Sequence, residues 1–238
     1  MARNIFISFR FGDGVNYKEE LSDCFDKNKD IINYSEDKDR SNMSEDTIKN
    51  YLYRKLKETS VTVVILTPEA VNYKKDIWGK YDDWLYDELR YSLEDREDNR
   101  ENAVIAVYTK DAAQYLYTET THKCSVCNKN SKVKSMKEFD NLVRKNMMNI
   151  KTSKKKNQCD GVYDSLKDSY CSLIEFNEFK NNMDTYIDNA IDKRNRKEDF
   201  DIVKKMCEKI SHILLYYEDN FSIMIKRSKN ITFKGRLK

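Results

Sequence analysis

One proline (Pro68), five glycines and two histidines in 238 residues leave the chain few forced breaks. Element boundaries must therefore come from hydrophobic periodicity. No apolar run approaches the roughly 20 residues that span a bilayer, and the N-terminus has no secretory h-region, so a soluble, cytoplasmic protein without a membrane segment is expected. No repeat or low-complexity tract is present. The Gly-containing stretch Arg10-Phe-Gly-Asp-Gly14 lacks both a dinucleotide fingerprint and the Lys-Ser/Thr ending of a P-loop. With six cysteines in an intracellular setting the thiols should be mostly reduced, so a pair at ligand spacing points to metal before a disulfide.

The length suffices for one large domain or for one domain with an appendage. Sixteen tyrosines and ten phenylalanines offset the 36% charged residues and argue against disorder. The net charge of +3 is unevenly placed: residues 1–110 hold 18 basic and 23 acidic residues, and 111–238 hold 26 and 18. Acidic residues interleave with basic ones in the second part, which disfavours nucleic-acid binding.

Asn4-Ile-Phe-Ile-Ser-Phe9 reads as a buried strand leading into a tight loop over Arg10–Gly14, which could let backbone N–H groups approach a phosphate. A helix follows with Tyr17, Leu21 and Phe25 in one row. Ile31–Tyr34 is a second strand that opens into a polar loop, Ser35 to Met43. Ser44 is placed to cap a helix carrying Ile48, Leu52 and Leu56. Val61–Leu66, apolar except for Thr62, has the pattern of a central parallel strand covered on both faces. Trp84–Leu93 is helical, with Leu85, Leu89 and Leu93 on one stripe and Trp84 and Glu88 one turn apart beside it. Ala103–Tyr108 is a further buried strand.

Residues 111–169 break this rhythm and read as an insertion before a last strand, Tyr170–Phe176, and a closing helix through Ala190. Past a charged link, Val203, Met206, Cys207, Ile210, Leu214 and Tyr217 fall on one face of a C-terminal helix. The expected organisation is one α/β domain over 1–191, a doubly wound parallel sheet with the insertion at about 111–169, and a helical extension over 192–238. Ligands of such sheets sit beyond the carboxyl ends of the strands, where the loops after the first two strands and the Trp84 helix should converge.

A Ser-Phe pair ending the first strand (Ser8, Phe9), a long polar loop after the second (Ser35 to Met43) and a Trp-x-x-x-Glu helix (Trp84 to Glu88), in that order, resemble the TIR-like, flavodoxin-like domains of the Thoeris ThsB group in bacterial antiphage defence. The match covers about residues 3–110 and, more loosely, 170–191. The resemblance implies NAD as substrate, cleaved at the nicotinamide–ribose bond with Glu88 as the catalytic carboxylate. It also implies a nucleotide second messenger that activates a partner effector, and activity under the control of homo-oligomeric assembly.

One carboxylate is chemically sufficient. Glycoside hydrolysis usually needs two because an alkoxide leaving group must be protonated, whereas nicotinamide leaves from a cationic pyridinium and needs no acid. In that site Trp84 and Phe9 would supply aromatic walls, Ser8 a hydroxyl to the nucleotide, and Arg10 a charge for the diphosphate. The rival readings are a non-catalytic TIR-like adaptor acting by self-assembly and a response-regulator receiver. The receiver lacks its phosphoacceptor here, because Leu66 is followed by Thr67-Pro68 and no Asp. Cys124, Cys127 and Cys159 of the insertion, with His122 or Cys171 as a fourth ligand, could hold a structural zinc, the alternative being unliganded surface thiols.

Overall fold

The computed structural model describes residues 3–35, 44–95, 100–159 and 162–207. These divide into two compact units, one running to Tyr73 and again from Asp83 to Met206, the other holding Lys74–Asp82. In the small unit Lys75 and Tyr81 form an antiparallel bridge, and Ile77 and Trp78 are exposed.

In the large unit strands β1 (Arg3–Ser8), β2 (Ile31–Asn33), β3 (Val61–Leu66), β4 (Ala103–Tyr108) and β7 (Ser172–Glu175) form one sheet in the order β2-β1-β3-β4-β7. Every pairing is parallel. This is the doubly wound, flavodoxin-like order, whose topological switch lies between β1 and β3. All residues of β3 and β4 are buried, as their unbroken apolar runs require.

The period of two along β1 divides its side chains between the layers. Ile5 and Ile7 join the core formed with α1 (Phe11–Asp26), α6 (Phe176–Asn181) and α7 (Met183–Asn195). Phe6 packs on the other face against Leu52 and Leu56 of α2 (Glu45–Glu58) and Tyr91 of α3 (Trp84–Leu93). Ser8, two residues on from Phe6, faces the α3 side as well. Ser44 caps α2 as expected, its side chain accepting from the Thr47 N–H. The polar residue inside β3, Thr62, is satisfied: its hydroxyl lies 2.8 Å from that of Ser92 and accepts from Asn102 Nδ2 at 3.2 Å.

Four expectations are corrected. Arg10–Gly14 is not a loop: α1 begins at Phe11, and the Gly14 N–H already donates to the Arg10 carbonyl at 2.8 Å. A Cβ on Gly12 would stand 2.5 Å from Glu69 Oε2. This first turn is pressed against the segment after β3, where the Asp13 carboxylate accepts from the Thr67 hydroxyl (2.5 Å) and the Glu69 N–H (3.0 Å). The Glu69 carboxyl near Gly12 is the movable end of an exposed side chain, so what fixes this turn is the Asp13 contacts.

The insertion carries an antiparallel hairpin, β5 (Tyr117–Lys123) and β6 (Asn130–Met136), flanked by α4 (Ala113–Leu116) and α5 (Leu142–Lys145). Most of β5 is exposed, so no buried face marks it in the sequence. The last strand is shorter than expected because Glu175 turns to cap α6, accepting from the Asn177 and Glu178 N–H groups. The closing helix is broken at Asn182 into α6 and α7.

Of the helix expected from Val203 to Tyr217, residues 203–207 are non-helical, and the remainder lies outside the described residues. Phe200 and Met206 are buried in the large unit. No helix among the described residues is long and apolar enough to cross a membrane.

Candidate functional site

Glu88 sits on the second turn of α3, and its side chain is buried toward the carboxyl end of β1. The Ser8 hydroxyl donates to Glu88 Oε2 at 2.5 Å. A buried carboxylate needs such a donor, and a charge-assisted bond of this kind is worth roughly 1.5–3 kcal/mol. Burial on the β1 side follows from spacing: Glu88 neighbours the Leu85–Leu89 stripe that α3 turns to the sheet. The Ser92 hydroxyl closes the turn below by donating to the Glu88 carbonyl at 2.8 Å.

The approach of α3 to β1 is fixed at its N-terminus. Asp83 caps the helix, Oδ1 accepting from the Leu85 N–H at 3.0 Å, while Oδ2 pairs with Arg10 Nη2 at 2.6 Å. Both side chains are buried, 9% and 2% exposed. Arg10 Nη2 also donates to the Asn72 carbonyl at 3.4 Å, and its Nε has no hydrogen-bond partner among the described residues. One ion pair thus links the residue two beyond Ser8 to the residue five before Glu88.

The structure brings together Ser8 and Glu88 and, in the same strand-end region, Arg10, whose charge is already met by Asp83. Trp84 is 37% exposed at the first helical position. The Phe9 and Phe11 rings lie 4.9 Å apart, with Phe11 more than half exposed. Ser35, at the head of the polar loop, accepts from the Ile7 N–H at 3.2 Å and so ties that loop's root to β1; Glu36 to Met43 lie outside the described residues. Sequence reasoning missed Asp83 and Asp13. Asp83 was findable, because an Asp directly before an apolar-periodic run is an N-cap signal. Asp13 carries no local signal, since its partners are 54 and 56 residues away.

Ser8→Ala should leave the Glu88 carboxylate without that donor. The expected outcome is about 1–3 kcal/mol of lost stability, read as a lower urea midpoint with an unchanged m-value.

The three insertion cysteines also converge. Cys124 and Cys127 lie at the tip of the β5–β6 hairpin, where the Cys127 N–H points at Cys124 Sγ (3.4 Å) and Asn128, at φ 59°, donates its N–H to the Cys124 carbonyl (2.9 Å). Cys159 Sγ lies 4.0 Å from Cys127 Sγ, and the three sulfurs are all within 4.8 Å of one another. A disulfide needs about 2.05 Å; thiolates around one tetrahedral ion at about 2.3 Å stand roughly 3.8 Å apart. These three cysteines can therefore hold a metal ion. The Cys124 and Cys127 sulfurs beside it raise the Cys159 thiol above its ordinary value, as expected of thiols sharing a small space.

Neither proposed fourth ligand belongs to this cluster. Cys171 is fully buried just before β7, its thiol pushed up to about 12 by burial, and His122 stands back along β5, opposite Ser131.

No curated protein matches the chain. Residues 6–114, from β1 through the first residues of α4, match the family model described as Thoeris protein ThsB, TIR-like domain. That span contains the Ser8–Glu88 pair and the Arg10–Asp83 clamp, and it stops short of the hairpin and the cysteine cluster. Over residues 6–114 the chain is thus similar to the TIR-like domain of Thoeris protein ThsB.

Proposed function

We propose that the chain cleaves NAD at the nicotinamide–ribose bond and makes an ADP-ribose-derived nucleotide messenger, cyclic or conjugated, that activates a partner effector. The observation carrying this reading is the buried Ser8–Glu88 pair at the carboxyl end of β1, beside the switch point where sheets of this order take ligands.

The carbon–nitrogen bond breaks with its electron pair passing to the pyridinium nitrogen, so nicotinamide departs neutral. The ribosyl carbon is left with oxocarbenium character, and a hydroxyl or water takes it, releasing a proton. Glu88 holds the ribose hydroxyls and meets the positive charge as it develops. Ser8 fixes the carboxylate's rotamer. Trp84 and Phe9 offer aromatic faces to the rings of the dinucleotide. Arg10, spent on Asp83, acts by holding α3 against β1, which leaves the diphosphate to other groups.

The test is transfer. Protein is incubated with NAD and removed by ultrafiltration, and the filtrate is applied to the candidate effector. Activation by the filtrate, and not by NAD or by filtrate from the Glu88→Gln variant, is the expected result. A filtrate without effect, with NAD intact, would favour an adaptor that works only by self-assembly.

The three cysteines supply three of the four ligands that a tetrahedral Zn²⁺ takes, and the ion ties the hairpin tip to the Cys159 segment, which has few apolar anchors of its own. Protein purified without added metal should carry close to one zinc per chain. Chelation should open residues 120–159 to limited proteolysis and leave the five-stranded sheet intact. Fewer than about one zinc per five chains, or a cleavage pattern indifferent to chelator, would mean ordinary reduced thiols.

A further inference from the structure

Far from Glu88 in the sequence, the insertion folds back over the carboxyl ends of β4 and β7 and encloses a groove of about 710 Å³. That volume lies within the roughly 300–1,000 Å³ of small-molecule sites. Four tyrosines line it: Tyr108 at the end of β4, Tyr117 on β5, Tyr163 and Tyr186. The Tyr108 and Tyr117 rings meet edge to face at 5.5 Å. Met147, Leu166 and Leu173 contribute an apolar wall.

Two carboxylates, Glu175 and Glu178, complete the lining. Glu175 caps α6, and Glu178 accepts from the Tyr186 hydroxyl. Neither forms an ion pair among the described residues. Their charges, after burial, raise the Tyr108 hydroxyl above its ordinary value, which marks a negative potential at the ring. Their oxygens do not converge with a third metal-binding group, so the site does not have the ligands of a metal.

One cation is already there. The exposed Lys134 ammonium, on β6, stands 3.8 Å from the Tyr117 ring centroid and 5.9 Å from that of Tyr108. It forms no ion pair with any described carboxylate. Tyrosine faces with nearby negative charge attract poorly hydrated cations, and Lys134, itself exposed, takes that place here. The two glutamates disfavour an anion in this groove.

We propose that this groove binds an organic cation, an alkylated ammonium carried on an apolar body, and that Lys134 holds the cation's place in the free protein. The proposal is independent of the NAD reading, since the groove contains neither Ser8 nor Glu88.

The test is calorimetric titration of the full chain with choline and with its neutral isostere 3,3-dimethylbutan-1-ol. Choline should bind, and the neutral alcohol roughly tenfold or more weaker, as expected for loss of a desolvated cation–π contact. Tyr117→Leu, which keeps apolar volume and removes the ring, should weaken choline by a similar factor. Lys134→Gln should bind choline several-fold tighter, because the internal competitor is gone; a lysine serving only to pack the hairpin would not give that gain. Glu88→Gln should titrate like the parent. Absence of saturable choline binding in both the parent and Lys134→Gln would overturn the proposal. So would equal affinity for the alcohol, or a Lys134→Gln variant that binds no tighter.

Discussion

Glu88→Gln is expected to lower NAD turnover by roughly 10²-fold or more while the melting temperature stays within a few degrees of the parent. Gln is nearly isosteric and its amide oxygen can still accept from the Ser8 hydroxyl, so the buried contact survives. What is lost is the negative charge facing the ribosyl cation. Removing one group that stabilises transition-state charge typically costs about 10²–10³ in rate. Initial rates of nicotinamide release, with calorimetric melting of the same preparations, check both halves. A variant that melts normally and turns over within threefold of the parent would take Glu88 out of the chemistry.

Asp83→Ala should be the most destabilising single change near the site. It strands a guanidinium that is 9% exposed and whose Nε already lacks a partner among the described residues. Breaking a buried pair from one side costs about 3–5 kcal/mol, and loss of the N-cap adds about 1 kcal/mol. At roughly 2–4 °C per kcal/mol for a chain of this size, the melting point should fall by about 8–24 °C. Arg10→Leu combined with Asp83→Ser, which removes both charges and keeps a capping hydroxyl, should recover most of that loss. If the double variant melts no higher than Asp83→Ala, the uncompensated charge is not the cause. Turnover should fall in Asp83→Ala even at temperatures where it is folded, because the clamp sets the distance between β1 and α3.

Much of this was legible in the sequence, for identifiable reasons. Val61–Leu66 and Ala103–Tyr108 are buried along their whole length, and a continuous β-branched run records that double burial directly. The order of elements then places the end of β1 next to α3. The Ser8–Glu88 pair was reachable only as two separate residues, since nothing local joins positions 80 apart.

Long-range packing hid the rest. Gly12 and Gly14 suggested a loop, whereas α1 starts at Phe11 and its first turn is held by Asp13 contacts 54 and 56 residues away. Arg10 was assigned to a diphosphate because its burial against Asp83 is a tertiary fact. The hairpin over Tyr117–Met136 escaped notice because an exposed strand pair need not alternate apolar with polar residues. Cys124, Cys127 and Cys159 were all candidates in the sequence, and the fold brings their sulfurs together. No spacing rule could exclude His122 or Cys171, which the register of β5 and the burial before β7 keep apart.

The most direct measurement of the central claim is the reaction of the purified chain with NAD across a range of protein concentrations, followed by mass spectrometry of every product. The expected result is nicotinamide released in equal amount to an ADP-ribose-derived nucleotide, with specific activity rising as copies assemble. Intact NAD at every concentration, with the sheet folded and Glu88 unmodified, would contradict it.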